Sequence, residues 1–148
     1  MSVSILETAV VAAQSVVAQA ADHLEAGLTE HRLTPATAQA LWAIDPGEEP
    51  PSMKTVAQRL FCNAPNLSFV MNQLADRGLI ERVVDPADRR SRRVKLTEEG
   101  HRVRAAIIDA ALATSPLARL APEALHQLVS ILGQALASPA ESEAPTAR

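Results

Sequence analysis

Aromatic side chains are nearly absent from this sequence, whose 148 residues include one Trp, two Phe and no Tyr. Proteins that bind single-stranded nucleic acid or RNA commonly stack bases on aromatic rings, so both classes are poorly supported. The single cysteine, Cys62, excludes an intramolecular disulfide bond, and nothing indicates secretion. We interpret Cys62 as a small packed thiol rather than a redox sensor, because few basic groups lie near it in the sequence.

Long apolar runs and an early positive charge are also missing. No stretch approaches 18 uninterrupted apolar residues, and no Lys or Arg precedes Arg32. These absences argue against a membrane span and against a secretory signal. We therefore expect a cytoplasmic protein without a membrane partner.

No arrangement typical of a catalytic or metal site stands out. The histidines have no i, i+4 spacing and no accompanying cysteine or carboxylate cluster; they are His23, His31, His101 and His126. We expect no metal site and no cofactor. Because there is also no Ser-His-Asp arrangement, phosphate loop or paired carboxylate site, we do not expect an enzyme.

Positive charge is concentrated in one segment of an otherwise acidic chain. The chain has 14 Lys and Arg against 17 Asp and Glu, a net charge of −3. Residues 77–95 carry seven positive and three negative side chains, so the remainder carries −7. The positive residues are Arg77, Arg82, Arg89, Arg90, Arg92, Arg93 and Lys95. Such a footprint is typical of a nucleic-acid contact, although a solvated arginine-rich hairpin without a partner would look the same.

Alanine and leucine are abundant, so helices should dominate. Apolar spacing predicts helices over residues 3–30, 35–44, 53–61, 64–76, 98–114 and 122–136. The expected N-cap residues are Thr34, Ser52, Asn63 and Thr97. Gly78 is the expected left-handed stop after the fourth helix.

The fourth helix, residues 64–76, has one apolar stripe at i, i+3, i+4, i+7 spacing, formed by Leu67, Val70, Met71 and Leu74. Two strands follow, Leu79–Asp85 and Arg92–Thr97, with Pro86–Ser91 as the turn between them. Helix, turn, helix and a two-stranded wing is the winged helix-turn-helix layout, in which the second helix enters the major groove of DNA.

The polar face of residues 64–76 has side chains that can read base edges. Asn and Gln can pair with adenine, Ser can either donate or accept a hydrogen bond, and an apolar group can touch the thymine methyl. The wing arginines suit phosphates or a narrow minor groove. The candidate DNA-binding residues are Thr55, Asn66, Ser68, Phe69, Asn72, Gln73, Arg89, Arg90, Arg92 and Arg93, with Asp88 as wing support. Because side chains alternate along a strand, about two of Arg89, Arg92 and Arg93 should touch phosphate.

The segments TVAQRL, QLADRGLIER, DPADRR and KLTEEG resemble the MarR family of transcriptional regulators over residues 33–100. The wing signature of that family matches Asp88, Arg90, Leu96, Thr97 and Gly100. The resemblance implies that residues 64–76 are the recognition helix, that Arg90 enters the minor groove and that Asp88 holds it. A surface ion pair between Arg90 and Asp88 is a compatible alternative.

The resemblance also implies a homodimer on a pseudo-palindromic operator. The implied organisation is an N-terminal dimerisation helix at 1–32, a winged helix-turn-helix domain at 33–98, C-terminal dimerisation helices at 99–137 and a disordered tail at 138–148. The fold class is thus mainly α with a small β-hairpin wing.

Some positions depart from the family pattern. Phe69 and Gln73 stand where many members carry Arg or Lys, and Phe61 stands where Gly is frequent. Phe69 could contact a base methyl or pack under the wing. His31 lies near the helix with Trp42, where family ligand pockets often form, and it could bind a small aromatic or anionic effector or cap local structure.

Two functions follow as hypotheses. The first is a DNA-binding regulator, acting as a repressor, that a small-molecule effector releases. The second is a winged-helix dimer that senses a ligand or binds a protein and does not bind DNA.

Overall fold

This computed structural model describes residues 3–60 and 64–137 of the chain. The described part is mainly helical and contains one two-stranded antiparallel sheet. In chain order the elements are α1 Ile5–Glu30, α2 Pro35–Trp42, α3 Met53–Leu60, α4 Ala64–Asp76, β1 Ile80–Asp85, β2 Asp88–Leu96, α5 Glu98–Thr114, a 3₁₀ turn Pro116–Arg119 and α6 Pro122–Leu136. The chain divides into two compact units after Ser115. Expectations for Phe61, Cys62, Asn63 and the tail at 138–148 lie outside the described residues.

Three of the expected helix starts are confirmed. The Thr34 side chain accepts a hydrogen bond from the Thr37 amide, and the Thr37 hydroxyl accepts one from the Thr34 amide, which completes a capping box. Ser52 accepts from the Thr55 amide at 3.1 Å. Thr97 accepts from the Gly100 amide at 3.0 Å and so starts α5.

The apolar stripe of α4 faces the core, as its spacing predicts. Leu67, Met71 and Leu74 are almost completely buried, and Val70 packs against them. Each fully buried side chain of this size contributes about 1.5–3 kcal/mol, which fixes the rotation of the helix. The polar face of α4 is consequently turned to solvent.

Gly78 ends α4 and starts the hairpin. Its φ of 71° lies in the left-handed region, which favours glycine, and the expected stop is confirmed. The Leu79 amide then donates to the Leu74 carbonyl at 3.0 Å. The hairpin therefore leaves α4 directly, and the Arg82 side chain of β1 reaches back to Asn72 on the exposed face of α4.

The predicted hairpin turn is too long. The strands pair in register from Ile80↔Leu96 to Val84↔Arg92, and Asp85 then pairs with Asp88, which shifts the register. The second strand begins at Asp88 rather than Arg92 because the chain reverses within two residues. The Asp85 carboxylate accepts from the Ala87 amide at 2.9 Å and stabilises this tight reversal.

Helices α1 and α6 each expose an apolar face. Of the 26 residues of α1 only Leu28 is buried, and its exposed apolar residues are Val3 just before it, Ile5, Leu6, Val10, Val11 and Val17. The 15 residues of α6 include no buried side chain, and its exposed large apolar residues are Val129, Ile131, Leu132 and Leu136. Among the described helices, none combines the length and apolar character that crossing a bilayer requires.

Candidate nucleic-acid interface

The solvent-facing side of α4 carries the polar residues that were predicted from the sequence to bind DNA. Asn66, Ser68, Asn72 and Gln73 are exposed on this face. Phe69 lies among them and is 64% exposed, so it does not pack under the wing. This face can therefore offer amide and hydroxyl groups, and one aromatic ring, to a groove of DNA.

Thr55 lies at the start of α3 and is half-buried. Its hydroxyl is 3.0 Å from the Ser52 hydroxyl, and its amide donates to the same oxygen. Thr55 thus belongs to the helix cap, and its role as a DNA contact stays a prediction.

The tip of the wing is arginine-rich and exposed. Arg89, Arg90 and Arg92 all face solvent. The Arg92 guanidinium donates to the Arg89 carbonyl at 3.1 Å, which holds the irregular part of β2 together. Arg89 and Arg90 therefore leave their guanidinium groups at the outer end of the hairpin, where a phosphate or a minor groove can reach them.

Asp88 orders the wing through the backbone. Its carboxylate accepts a hydrogen bond from the Arg90 amide at 3.0 Å. Within the described residues, the ion pairs of the hairpin involve Arg93 and not Asp88. Asp88 thus fixes the peptide from which the Arg90 guanidinium projects, and its expected hold on the Arg90 side chain itself stays a prediction.

Arg93 braces the wing against the preceding loop. Its side chain, about a quarter exposed, lies 3.3 Å from carboxylate oxygens of both Asp85 and Glu49. The adjacent Val94 amide donates to the Pro51 carbonyl at 2.9 Å. These contacts give Arg93 a structural role in the wing, and its contact with phosphate stays a prediction.

The Asp85 carboxyl has a pKa below its ordinary value of 3.8. The main cause is the hydrogen bond from the Ala87 amide, and the Arg93 guanidinium lowers the pKa further. The same ion pair raises the pKa of Arg93. Because the folded-state pKa of Asp85 is depressed, its contribution to stability is present above pH 3.8 and is lost as the pH falls through the lower, folded value.

We expect the wing to loosen in acid at a pH where the helical core persists. Amide hydrogen exchange of β1 and β2, corrected for intrinsic rates, should show protection falling below about pH 4. Asp85→Asn keeps the acceptor for the Ala87 amide but removes the charge, so its hairpin should be less protected at pH 7 and less sensitive to acid. Asp109→Asn on α5 is the matched control. Equal acid sensitivity in Asp85→Asn and the parent protein would contradict this role.

Two arginines of the basic segment, Arg77 and Arg82, make structural contacts. Arg77 donates to the His31 and Arg32 carbonyls at 2.5 and 2.6 Å, and so provides hydrogen-bond donors to the backbone carbonyls that follow α1. Arg82 donates from Nη2 to the Asn72 Oδ1 at 2.5 Å and so joins β1 to α4. Arg77 could have been suspected because it follows a helix end, but the Arg82 contact depends on how the hairpin packs.

A cavity of about 380 Å³ lies beside α4. Apolar and polar residues of α2, α3 and α4 line it, among them Gln39, Leu60, Phe69 and Val70. Among the described residues, no group of three or more metal-binding side chains is present.

Comparisons with known proteins agree with this arrangement. Residues 33–100 match a family model described as winged helix DNA-binding domain. A MarR-family transcriptional regulator from Silicibacter pomeroyi is 21% identical, with a TM-score of 0.76 and 90% coverage of both chains. CouR from Rhodococcus jostii RHA1 bound to p-coumaroyl-CoA is 23% identical, with a TM-score of 0.72 and coverage of 82% of this chain and 87% of CouR.

The transcriptional repressor CouR has also been solved bound to a 23-mer DNA duplex. That structure is 24% identical to this chain, with a TM-score of 0.70 and coverage of 90% of this chain and 93% of CouR. Curated proteins gave no match. At these identities the structural likeness establishes the fold.

Proposed function

We propose that this chain, which has the MarR-type winged helix-turn-helix fold, is a transcriptional regulator that binds double-stranded DNA. Its residues 33–100 match the model of a winged helix DNA-binding domain. One observation carries the proposal. The exposed polar face of α4 stands beside a wing whose tip presents Arg89 and Arg90 to solvent. A regulator of this kind works on cytoplasmic DNA.

The geometry supports a division of labour between the two elements. Asn66, Ser68, Asn72 and Gln73 carry no charge, so α4 supplies hydrogen bonds to base edges rather than electrostatic attraction. The wing supplies positive charge, because phosphate contacts dominate affinity and its tip is basic. Arg90, on a peptide fixed by Asp88, is the residue that we assign to the minor groove.

We further propose a homodimer that acts as a repressor on a pseudo-palindromic operator. The exposed apolar residues of α1 and α6 support this proposal, because a second copy of the chain could cover them. CouR, a repressor of the same fold, is known bound to DNA and to p-coumaroyl-CoA. A small aromatic or anionic effector that releases DNA is therefore consistent with the fold.

A second candidate is a winged-helix dimer that binds a ligand or a protein without DNA. The observation that favours it is the absence of Lys and Arg from α4, residues 64–76. Anisotropy titration with a random duplex at low salt separates the two functions, since nonspecific DNA binding is electrostatic. No binding even at low salt would favour the second candidate.

Replacing Arg90 with Ala should weaken specific DNA binding about 10- to 30-fold and leave folding unchanged. Each protomer loses one guanidinium from the groove, so a homodimer loses two. The slope of log affinity against log salt should become shallower by up to about two, because each bound cation that neutralises phosphate charge, including one in the minor groove, contributes about 0.9. Titration of the upstream region of its own gene at several salt concentrations measures both effects.

Arg119→Ala is the matched control, because it removes the same charge from an exposed site outside residues 33–100. It should leave affinity and salt slope nearly unchanged. If Arg90→Ala binds as tightly as the parent protein, the wing tip does not contact DNA in the proposed way.

A further inference from the structure

Arg82 projects from the wing toward the recognition helix. In the hairpin register it lies opposite Val94, and Ile80 lies opposite Leu96 two residues away. Directly paired residues of antiparallel strands share a face, and Ile80, Val94 and Leu96 are buried. Arg82 therefore starts from the core-facing side of the hairpin, but its long side chain ends at the exposed edge beside α4.

The Arg82 guanidinium forms a hydrogen bond with Asn72 on the polar face of α4. Its Nη2 donates to the Asn72 Oδ1 at 2.5 Å, and Asn72 belongs to the polar face of α4. A hydrogen bond from a cation to an amide oxygen is about twice as strong as one between neutral groups. The bond thus turns the Asn72 oxygen toward the wing and leaves the two N–H donors of Nδ2 for an external partner.

We propose that Arg82 is a positioning residue that sets the base preference of Asn72. Paired recognition of adenine needs both the oxygen and the nitrogen of an asparagine amide. With Oδ1 turned toward the wing by Arg82, Asn72 presents its Nδ2 donors to the groove, and these fit an acceptor edge such as guanine O6 and N7 or thymine O4. This assignment rests on the proposed DNA-binding function and replaces the expectation that Asn72 pairs with adenine.

The contact itself can be tested without DNA. A double-mutant cycle with Arg82→Ala, Asn72→Ala and the double variant measures whether the two side chains are coupled in the free protein. We expect the unfolding constants to deviate from additivity by about fivefold, the size of one partly exposed hydrogen bond to a charged group. Additive effects would overturn the proposal whether or not the protein binds DNA.

Base preference is tested by selection from a randomised duplex library. The parent protein should favour guanine or thymine at one position of each half-site, and Asn72→Ala should lose that preference alone. Arg82→Ala should reduce discrimination at the same position about tenfold and admit adenine there, while other positions keep their preferences. Gln73→Ala should affect a different position.

Lys95→Ala is the charge control, since it removes one positive charge from the exposed face of the adjacent strand. If Arg82→Ala only weakens binding uniformly, as expected for Lys95→Ala, then Arg82 is a phosphate contact and the proposal is wrong. A parent preference for adenine at the Asn72 position would also overturn it. Failure of the parent protein to enrich any duplex would instead contradict the proposed function, and the coupling measurement would still decide the Arg82 contact.

Discussion

Replacing Gly100 with Ala should destabilise the first compact unit by about 3 kcal/mol, and the melting temperature should fall by about 10 °C. A Cβ at this position would overlap the Leu79 carbonyl oxygen and lie 2.9 Å from the carbonyl carbon. Both atoms belong to the backbone, so no side-chain rotation can relieve the clash. The start of α5 would have to move away from the base of the hairpin.

The base of the hairpin is held by several short hydrogen bonds around the Leu79 carbonyl. The Leu79 oxygen accepts from the Thr97 amide at 3.1 Å, and the Thr97 hydroxyl donates to the Gly78 carbonyl at 2.6 Å. The same hydroxyl accepts from the Gly100 amide. Moving α5 would therefore break both the Thr97 cap and the hydrogen bond from the Thr97 amide to the Leu79 carbonyl. The expected loss of folding free energy is for this reason larger than that caused by an ordinary crowded methyl group.

Gly27→Ala is the matched control for this prediction. Gly27 lies in α1, and an added Cβ would be 3.7 Å from the Ala110 Cβ, an ordinary contact. Alanine favours a helix over glycine by up to about 1 kcal/mol, so this variant should be as stable as the parent or slightly more stable. Thermal and urea unfolding measure both variants. A parent-like midpoint for Gly100→Ala would show that α5 can shift without loss.

The helices and the exposed face of α4 could be predicted from sequence because both depend on local signals. The stripe of Leu67, Met71 and Leu74 determines which side of the helix is buried, and the opposite side must then face solvent. Gly78 and Thr97 act on neighbouring residues, so their stop and cap roles were confirmed.

The wing was harder to predict because its arginines contact residues distant in sequence. Arg93 meets Glu49 in a loop 44 residues earlier, and Arg82 meets Asn72 on another element. Alternation along a strand indicated that some wing arginines face away from DNA, but not which ones. The early start of β2 follows from a two-residue reversal in which the Asp85 carboxylate accepts from the Ala87 amide, whereas turn composition alone pointed to a longer loop.

Helix α6 is the strongest reason to expect a second copy of the chain. None of its residues is buried, and an isolated helix of 15 residues is marginal in water. Its large apolar residues Val129, Leu132 and Leu136 recur at helical spacing and are at least 45% exposed. A surface of this kind is typical of an interface between subunits.

Replacing Leu132 with Glu should therefore weaken the proposed homodimer about 100-fold or more. Two-fold symmetry places the substitution in the interface twice, and burying an unpaired carboxylate costs several kcal/mol, against 1.4 kcal/mol for each tenfold change. DNA affinity should fall with it, because a monomer engages only one half-site. Sedimentation equilibrium measures the dissociation constant, and the same preparations can be titrated with operator DNA.

Gln134→Glu separates the effect of the interface from that of the charge. Gln134 is exposed on the same helix, and the substitution introduces the same carboxylate without removing an apolar side chain. It should leave the dimer intact. If the parent protein sediments as a monomer at all concentrations, the homodimer is wrong. If the parent is dimeric and Leu132→Glu dimerises equally well, α6 lies outside the interface, and the exposed apolar residues of α1 are the next to test.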